Sequence, residues 1–352
     1  MIYSHDSQYG WFDLEVKLAL ILFPIILATA DEDAFSGGFF KRILTSYVAG
    51  CFMGSLLLFG HAVFQYLEYN LQDPFYYSNL SWYFHSSYLS MYYDLAIAII
   101  AYYLVSRTRV LSVLLKITGI FLLVYFLVLV FLLSSKAGIL VLFILMVYFT
   151  ILIIWKKKMV LNGILFFFIS ATVFYTTYRI FPYAFKRMEN LEKVLNTDTK
   201  NLAQTRESTA ERMTIWKASS EIIRDHLFFG VGTGDVKDEL LKKYKEKGMG
   251  PALEQKLNAH NQYLQTFVAL GLLGIFIFLS LILVPAWEAV TKGYYLYFAF
   301  ILIFALNIFV ESMFEVQAGI IFYAFFNSFF FLNRKKEQAF MNKTIENSSV
   351  IA

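Results

Sequence analysis

Long uncharged apolar windows recur along this chain, separated by short polar or charged connections, and they predict membrane-spanning helices. A helix needs about 20 apolar residues to cross roughly 30 Å of hydrocarbon. Dense Leu, Ile and Phe with only 5 prolines favour helices over the alternating pattern of a β-barrel. The predicted fold is therefore an all-α, polytopic transmembrane helical bundle. Its nine predicted spans lie near 17–30, 43–64, 88–106, 117–134, 138–155, 159–181, 263–284, 294–310 and 316–333.

The short basic connections predict which side of the membrane is cytoplasmic. Short loops rich in Lys and Arg stay in the cytoplasm, and such clusters occur at 41–42, 107–116, 156–158 and 334–336. With nine spans, all four clusters fall on one side and the long 182–262 segment falls on the other. The predicted organisation is N-terminal membrane helices at 1–181, a large extracytoplasmic loop at 182–262, C-terminal membrane helices at 263–333 and a cytoplasmic tail at 334–352.

The same assignment places the N-terminus outside, next to the acidic residues Asp6, Asp13 and Glu15. No basic cluster or signal-peptide pattern accompanies this start. Two readings stay open: the first span is misassigned, or earlier helices of a longer architecture are missing from this sequence. We prefer the second reading.

Composition supports the membrane assignment and narrows the partners. The 352 residues are 59% hydrophobic and 16% charged, with a mean hydropathy of +0.58, whereas soluble domains carry roughly 25% charge. The lipid bilayer is therefore the expected environment. A net charge of only +4 argues against nucleic acid as a partner. The single cysteine, Cys51, excludes an intrachain disulfide.

The predicted outer loop contains an amphipathic helix in the stretch "STAERMTIWKASSEIIRDH". Ser208 and Glu211 have the spacing of a capping box. The i, i+4 spacing places Arg212 and Trp216 on one face of that helix. Arg212 is then either a functional cation or an arginine on a solvated face.

Two further polar motifs follow in the same loop. "GVGTGD" carries Gly230, Gly232 and Gly234, whose backbone N–H groups could approach an anion or a sugar, and Asp235 could orient a hydroxyl. The structural alternative is a glycine-rich stop after a helix. "AHNQYLQ" then places His260 and Asn261 directly before an apolar run, where a lone histidine is more often structural than catalytic.

The order of these motifs resembles the O-antigen ligase and O-antigen polymerase family of bacterial membrane glycosyltransferases. In that family an Arg-x-x-x-Trp helix, a Gly-x-Gly-x-Gly turn and a His-Asn-x-Tyr-Leu helix entry follow one another on an extracytoplasmic loop. The segments "FHSSYLSMYYDLA" at 84–96 and "LLSSKAG" at 132–138 fit as well, so the resemblance covers most of the chain from about residue 80. One departure is Ser135-Lys136, where many members have Ser-Arg; lysine keeps the charge but lacks the planar fork of arginine.

The resemblance implies a glycosyltransferase of about a dozen spans in the bacterial inner membrane, with its active site on the periplasmic side. Three missing N-terminal spans would account for the outward start. The implied donor is a polyprenyl-diphosphate-linked glycan, and the implied acceptor is a sugar hydroxyl on lipid A-core or on another glycan. Ligase, polymerase and protein-glycan transfer share these motifs, and we favour the ligase.

By the same resemblance, His260 is the expected general base and Arg212 the expected clamp on the donor diphosphate. Lys136 is expected to supply a second cation and Arg206 a third, and His85 is expected to line the same cavity. The remaining residues expected to contact substrate are Trp216, Gly230, Gly232, Gly234, Asp235 and Asn261.

No metal site and no cofactor are expected. The one acidic cluster, Asp31-Glu32-Asp33, is predicted to lie on the cytoplasmic side as a solvated connection. The main alternative from another class is a transporter or flippase for lipid-linked glycans. Transporters typically contain internal repeats and broken helices, and the sequence indicates neither convincingly.

Overall fold

A computed structural model describes residues 4–30, 38–71, 73–106, 111–156, 158–180 and 208–349. Throughout these residues the regular secondary structure is helical, which confirms the predicted all-α class. The first eight α-helices are α1 (Ser7–Lys17), α2 (Ala19–Thr29), α3 (Phe39–Tyr69), α4 (Tyr77–Ser81), α5 (Ser86–Ser106), α6 (Val113–Leu132), α7 (Lys136–Ile151) and α8 (Val160–Ile180). After residue 207 follow α9 (Ser208–Asp225), α10 (Val236–Glu246), α11 (Gly250–Glu254), α12 (Gln262–Lys292), α13 (Tyr295–Asn307) and α14 (Gln317–Ser349).

Six helices in the described part of the chain are long and apolar enough to cross a membrane, namely α3, α5, α6, α8, α12 and the helix that continues α7 to Trp155. They correspond to six of the nine predicted spans, and the chain is an integral membrane protein. The count of nine is not confirmed. α2 has 11 residues and α13 has 13, so at 1.5 Å per residue they extend only about 16 and 20 Å. α14 is long, but Gln317, Asn327 and Asn333 lower its hydropathy.

The chain divides into two compact units. The helix unit comprises Thr29–Met188, Glu288–Ile303 and Phe330–Ala352, and the loop unit comprises Met1–Ala28, Glu189–Trp287 and Phe304–Phe329. In the helix unit α5 is the most buried helix. It packs closely on α7 at Gly138, which has no Cβ. A Cβ at that position would lie only 2.4 Å from the Cβ of Ser90 on α5.

In the loop unit, α9 forms the amphipathic helix that the sequence predicts. Ile215, Ala218 and Ile222 on one face are buried in a core shared with Leu240 and Tyr244 of α10. The same core includes Val268 and Ala269 of α12. Burial of this apolar face attaches the short helices to the first half of the long membrane helix.

Helix α12 is broken at Gly271, whose φ of 62° and ψ of −155° are not helical. The carbonyl oxygens of Val268 and Ala269 accept hydrogen bonds from the N–H groups of Val231 and Gly232, both at 2.9 Å. In the other direction, the N–H of Leu272 donates to the carbonyl of Leu227 at 3.0 Å. The sequence did not indicate this break.

Two glycines allow the backbones to approach each other at the break. Gly230 has a φ of +68°, and a Cβ there would lie 2.5 Å from the backbone of Ala269. Gly271 has a φ of +62°, and its Cβ would lie 2.3 Å from the carbonyl oxygen of Phe228. A contact of that length with backbone atoms cannot be relieved by moving a side chain, so both positions require glycine.

We predict that Gly271→Ala and Gly230→Ala each lower the thermal unfolding midpoint of the purified protein far more than Gly248→Ala. Gly248 also has a positive φ, +65°, but open space surrounds it. Its substitution therefore costs only the left-handed strain of about 1–2 kcal/mol, whereas the other two add a backbone collision. Equal losses in all three variants would show that the packing at the break is loose.

Candidate functional site

Three segments of the loop unit meet around His260: helix α9, the entry to α12, and the turn that follows α13. The indole Nε1 of Trp216 donates to the carbonyl of His260 at 3.4 Å. The ring of Trp216 packs edge-on against Phe309, with centroids 5.4 Å apart. The predicted face of α9 therefore contacts both other segments. We call the residues at this meeting point, which are Arg212, Trp216, His260, Phe309 and Glu311, the triad pocket.

The backbone of His260 is held in an uncommon conformation by local polar contacts. Its φ is +44°, and its N–H donates to the side chain of Asn258 at 2.9 Å. Asn261 caps the start of α12, since its Oδ1 accepts from the N–H of Leu264 at 3.1 Å. The N–H of Asn261 in turn donates to Ser312 Oγ at 3.2 Å. These contacts fix the direction in which the imidazole leaves the backbone.

Glu311 lies between the two residues that the sequence predicts as catalytic. Its Oε2 is 3.0 Å from His260 Nδ1, and its Oε1 is 2.5 Å from a terminal nitrogen of Arg212. The Glu311 side chain is only 6% exposed. Because a carboxylate only accepts, Nδ1 of His260 donates and the neutral ring keeps its acceptor lone pair on Nε2. We call His260, Glu311 and Arg212 the triad.

Arg212 is bound to the protein by three contacts. Besides the ion pair with Glu311, its Nε donates to the carbonyl of Val310 at 3.0 Å, and a weaker contact of 3.5 Å joins it to the carbonyl of Ser208. A guanidinium has five N–H donors, so two remain for another ligand. The alternative of an arginine on a solvated face does not hold, because Arg212 connects α9 to Val310 and Glu311 on the turn after α13. Its role as diphosphate clamp stays a prediction.

Sequence reasoning gave Glu311 no role. A signal was available, because an acidic residue at the end of an apolar segment is a functional hypothesis by default. The sequence did not indicate which residues Glu311 contacts. Glu311 is 51 residues from His260 and 99 from Arg212, and nothing in the local pattern links them.

A second polar cluster adjoins the first on the same turn. Glu315 Oε1 lies 3.3 Å from the Lys17 ammonium and 3.3 Å from the Gln262 amide. Lys17 also forms an ion pair with Asp13 on α1. Burial, followed by the nearby charge of Glu315, raises the pKa of Asp13 from 3.8 to about 6, although Lys17 opposes the shift. The N-terminal helix is thereby attached to the turn that carries Glu311.

The glycine turn is occupied by contacts within the protein. The N–H groups of Gly230, Val231 and Gly232 donate to carbonyl groups of the chain, and that of Gly234 donates to Ser4 Oγ at 3.2 Å. The carboxylate of Asp235 accepts from the N–H groups of His5 and Asp6 at 2.8–2.9 Å. This geometry favours the structural alternative for the motif, and substrate contacts by these residues stay predictions.

Two of the other expected site residues belong to the helix unit, and one lies outside the described residues. Lys136 is the first residue of α7, and His85 directly precedes α5, where its Nδ1 accepts from the N–H of Ser87 at 3.3 Å. Arg206 and the Asp31-Glu32-Asp33 cluster lie outside the described residues. The structure therefore unites His260, Arg212, Trp216 and Asn261, and it adds Glu311.

Among the residues that the structure describes, no three His, Cys, Asp or Glu side chains are grouped so that they could hold a metal ion. The triad contributes one nitrogen and one carboxylate, and that carboxylate already binds Arg212. Metal independence stays a prediction.

Comparison with known families supports the resemblance. Residues 121–279 match the model of the O-antigen ligase family. The matched stretch contains Lys136, Arg212, Trp216 and His260 and ends before Glu311. No curated protein matches the sequence of this chain. The predicted resemblance to the O-antigen ligase and polymerase family is thus confirmed over the matched stretch.

We predict a pH-dependent contribution of Asp13 to stability. The folded state holds its proton to about pH 6, whereas an unfolded aspartate releases it near pH 4. Its stabilising contribution is therefore complete below about pH 4 and is lost as the pH rises to about 6. The unfolding midpoint of the native protein relative to Asp13→Asn should fall across that interval and stay constant above it. The exposed Asp238→Asn is the control, and an equal pH dependence in both variants would contradict the assignment.

Proposed function

We propose that this chain, with its O-antigen ligase family match at residues 121–279, is a metal-independent membrane glycosyltransferase that transfers a glycan from a polyprenyl diphosphate to a sugar hydroxyl. The observation that carries the proposal is the carboxylate of Glu311 between His260 and Arg212. A histidine oriented through Nδ1 by a carboxylate presents Nε2 as a base, which is the arrangement that activates hydroxyl nucleophiles in other enzymes.

In the proposed reaction, the acceptor hydroxyl oxygen forms a bond to the anomeric carbon of the donor sugar. The bond from that carbon to the diphosphate oxygen breaks, and its electron pair leaves with polyprenyl diphosphate. The hydroxyl proton moves to Nε2 of His260. Glu311 then stabilises the imidazolium that forms, and base catalysis of this kind typically contributes about 10² to 10⁴ in rate.

The departing diphosphate gathers negative charge and needs cations. Arg212 supplies one, through the two N–H groups that its contacts with Val310, Glu311 and Ser208 leave over. We propose Lys136 as a second cation. It is the first residue of α7, where the N–H groups of the first helical turn also carry partial positive charge. Arg206 is the third proposed cation.

We further propose that the triad pocket faces the periplasmic side of the bacterial inner membrane. The reason is the charge bias of the short connections. Lys41 and Lys116 lie in the first turns of α3 and α6, and Lys158 lies between α7 and α8. These helix ends are predicted to be cytoplasmic, whereas the segment that carries α9 to α11 is predicted to lie on the opposite side of the membrane. A donor carried by a lipid and an acceptor held by the loop unit can meet at that surface.

A lipid-linked glycan transporter is the alternative from another class, and the break in α12 is the observation that favours it. Broken helices in transporters leave backbone carbonyl groups open to a substrate or an ion. Here the carbonyl groups of Val268 and Ala269 are occupied by N–H groups of the chain itself. The break is therefore filled, and we favour the enzyme.

Within the enzyme class, we propose an O-antigen ligase that uses lipid A-core as acceptor; a polymerase is the alternative. The test is the lipopolysaccharide banding of a strain that lacks this gene. A ligase predicts loss of all long chains while lipid-linked polymer accumulates. A single capped repeat would identify a polymerase, and unchanged banding would exclude both functions.

For the triad, we predict that His260→Ala lowers turnover per folded molecule by about 10²-fold or more, while binding of the lipid-linked donor is retained. Glu311→Gln should also lower turnover. The double variant should be no slower than His260→Ala alone, because Glu311 acts through His260 and effects of one unit do not add. The measurement is glycan transfer by purified protein, with donor binding measured separately.

Glu315→Gln is the matched control, because Glu315 lies on the same turn but contacts Lys17 and Gln262 instead of His260. Its turnover should stay close to that of the native protein. Additive losses in the His260/Glu311 double variant would show that Glu311 does not act through His260. Normal turnover of His260→Ala would remove the base and leave His85 as the next residue to test.

A further inference from the structure

Two phenylalanines in the loop unit are exposed where the sequence predicts an extracytoplasmic loop. Phe228 is 67% exposed and Phe229 is 72% exposed. They lie in the turn between α9 and the glycine motif, where Leu227 separates them from the exposed polar residues Arg224 and His226. Exposing two adjacent aromatic rings to water would be costly, since a buried phenylalanine gains about 1.5–3 kcal/mol relative to an exposed one.

The position of this turn along α12 places it beside an apolar part of that helix. Leu227 and Val231 are hydrogen-bonded to Leu272 and Val268. The residues from Val268 to Leu272 come six to ten positions after the start of α12 at Gln262, which corresponds to about 9–15 Å along the axis. From Gln262 to Pro285 the helix contains no Asp, Glu, Lys or Arg. The turn therefore lies beside the apolar part of α12, further along the helix axis than its polar start at Gln262.

The break in α12 gives a physical reason for this placement. Hydrocarbon contains no water, so every backbone group that a broken helix releases must be satisfied by the protein. The N–H groups of Val231 and Gly232 meet this need for the carbonyl groups of Val268 and Ala269. Non-helical backbone at membrane depth is tolerated only under that condition.

The exposed rings are also continuous with an exposed apolar side of α12. Gly271 contacts the backbone of Phe228 and Phe229. Leu273 and Phe276, which follow it, are both 65% exposed. A membrane helix whose apolar side chains point away from the protein faces acyl chains.

We propose that residues 226–232 form a re-entrant segment that enters the outer leaflet, with Phe228 and Phe229 inserted among the acyl chains of the bilayer. The exposed rings of Phe228 and Phe229 are thus covered by bilayer lipid. The segment fills the break in α12 from the side and connects directly to α9, which carries Arg212. It thus holds the cation of the triad pocket at a defined height above the hydrocarbon, where a lipid-borne diphosphate would lie.

The test measures membrane depth and is independent of enzymatic activity. In a Cys51→Ala background, spin labels are attached at Phe228→Cys and, separately, at Phe229→Cys, in protein reconstituted into phosphatidylethanolamine–phosphatidylglycerol vesicles. Collisions with oxygen, which concentrates in hydrocarbon, are compared with collisions with a water-soluble nickel chelate. Phe276→Cys is the hydrocarbon reference, and Lys242→Cys on α10 is the water reference.

We expect both labels to collide with oxygen more than with the chelate, with a ratio close to that of Phe276→Cys. A ratio close to that of Lys242→Cys at both positions would overturn the proposal. Because both side chains are exposed, neither substitution removes core packing, and a monodisperse elution profile of each variant verifies folding. Loss of glycan transfer with a hydrocarbon-like ratio would leave this proposal intact, so the two proposals fail independently.

Discussion

The loop unit depends on one constraint: helix α12 is not continuous, and the backbone groups at its break need partners that a bilayer cannot supply. The turn after α9 provides them, through N–H groups of Val231 and Gly232. Gly230 and Gly271 make the approach possible because neither carries a Cβ where the two backbones meet. The site residues on α9 are consequently tied to the same helix that begins beside His260.

The second determining interaction is electrostatic. A buried carboxylate is expensive unless it is paired and hydrogen-bonded, and Glu311 meets that condition with Arg212 on one oxygen and His260 on the other. The same pairing gives the imidazole a defined tautomer. One carboxylate thus offsets the cost of its own burial and also orients the imidazole that we propose as the base.

The turn from Glu311 to Glu315 joins this chemistry to the rest of the unit. Ser312 receives the N–H of Asn261, and the N–H of Phe314 donates to the Gln262 side chain at 2.7 Å. Glu315 reaches Lys17 on α1. The start of α12 is therefore held by the short segment that follows α13, and a shift of that segment would move His260 and its carboxylate together.

The sequence by itself determined the helical class, six candidate spans and the amphipathic face of α9. It could do so because apolar length, helical periodicity and helix capping are local properties that follow from neighbouring residues. The order of motifs was likewise enough to predict the family over residues 121–279. Only the tertiary structure decided that Glu311 joins His260 to Arg212 and that the glycine turn fills a break at Gly271. Those features depend on contacts between residues 37 to 99 positions apart, and no local pattern specifies which distant groups will meet.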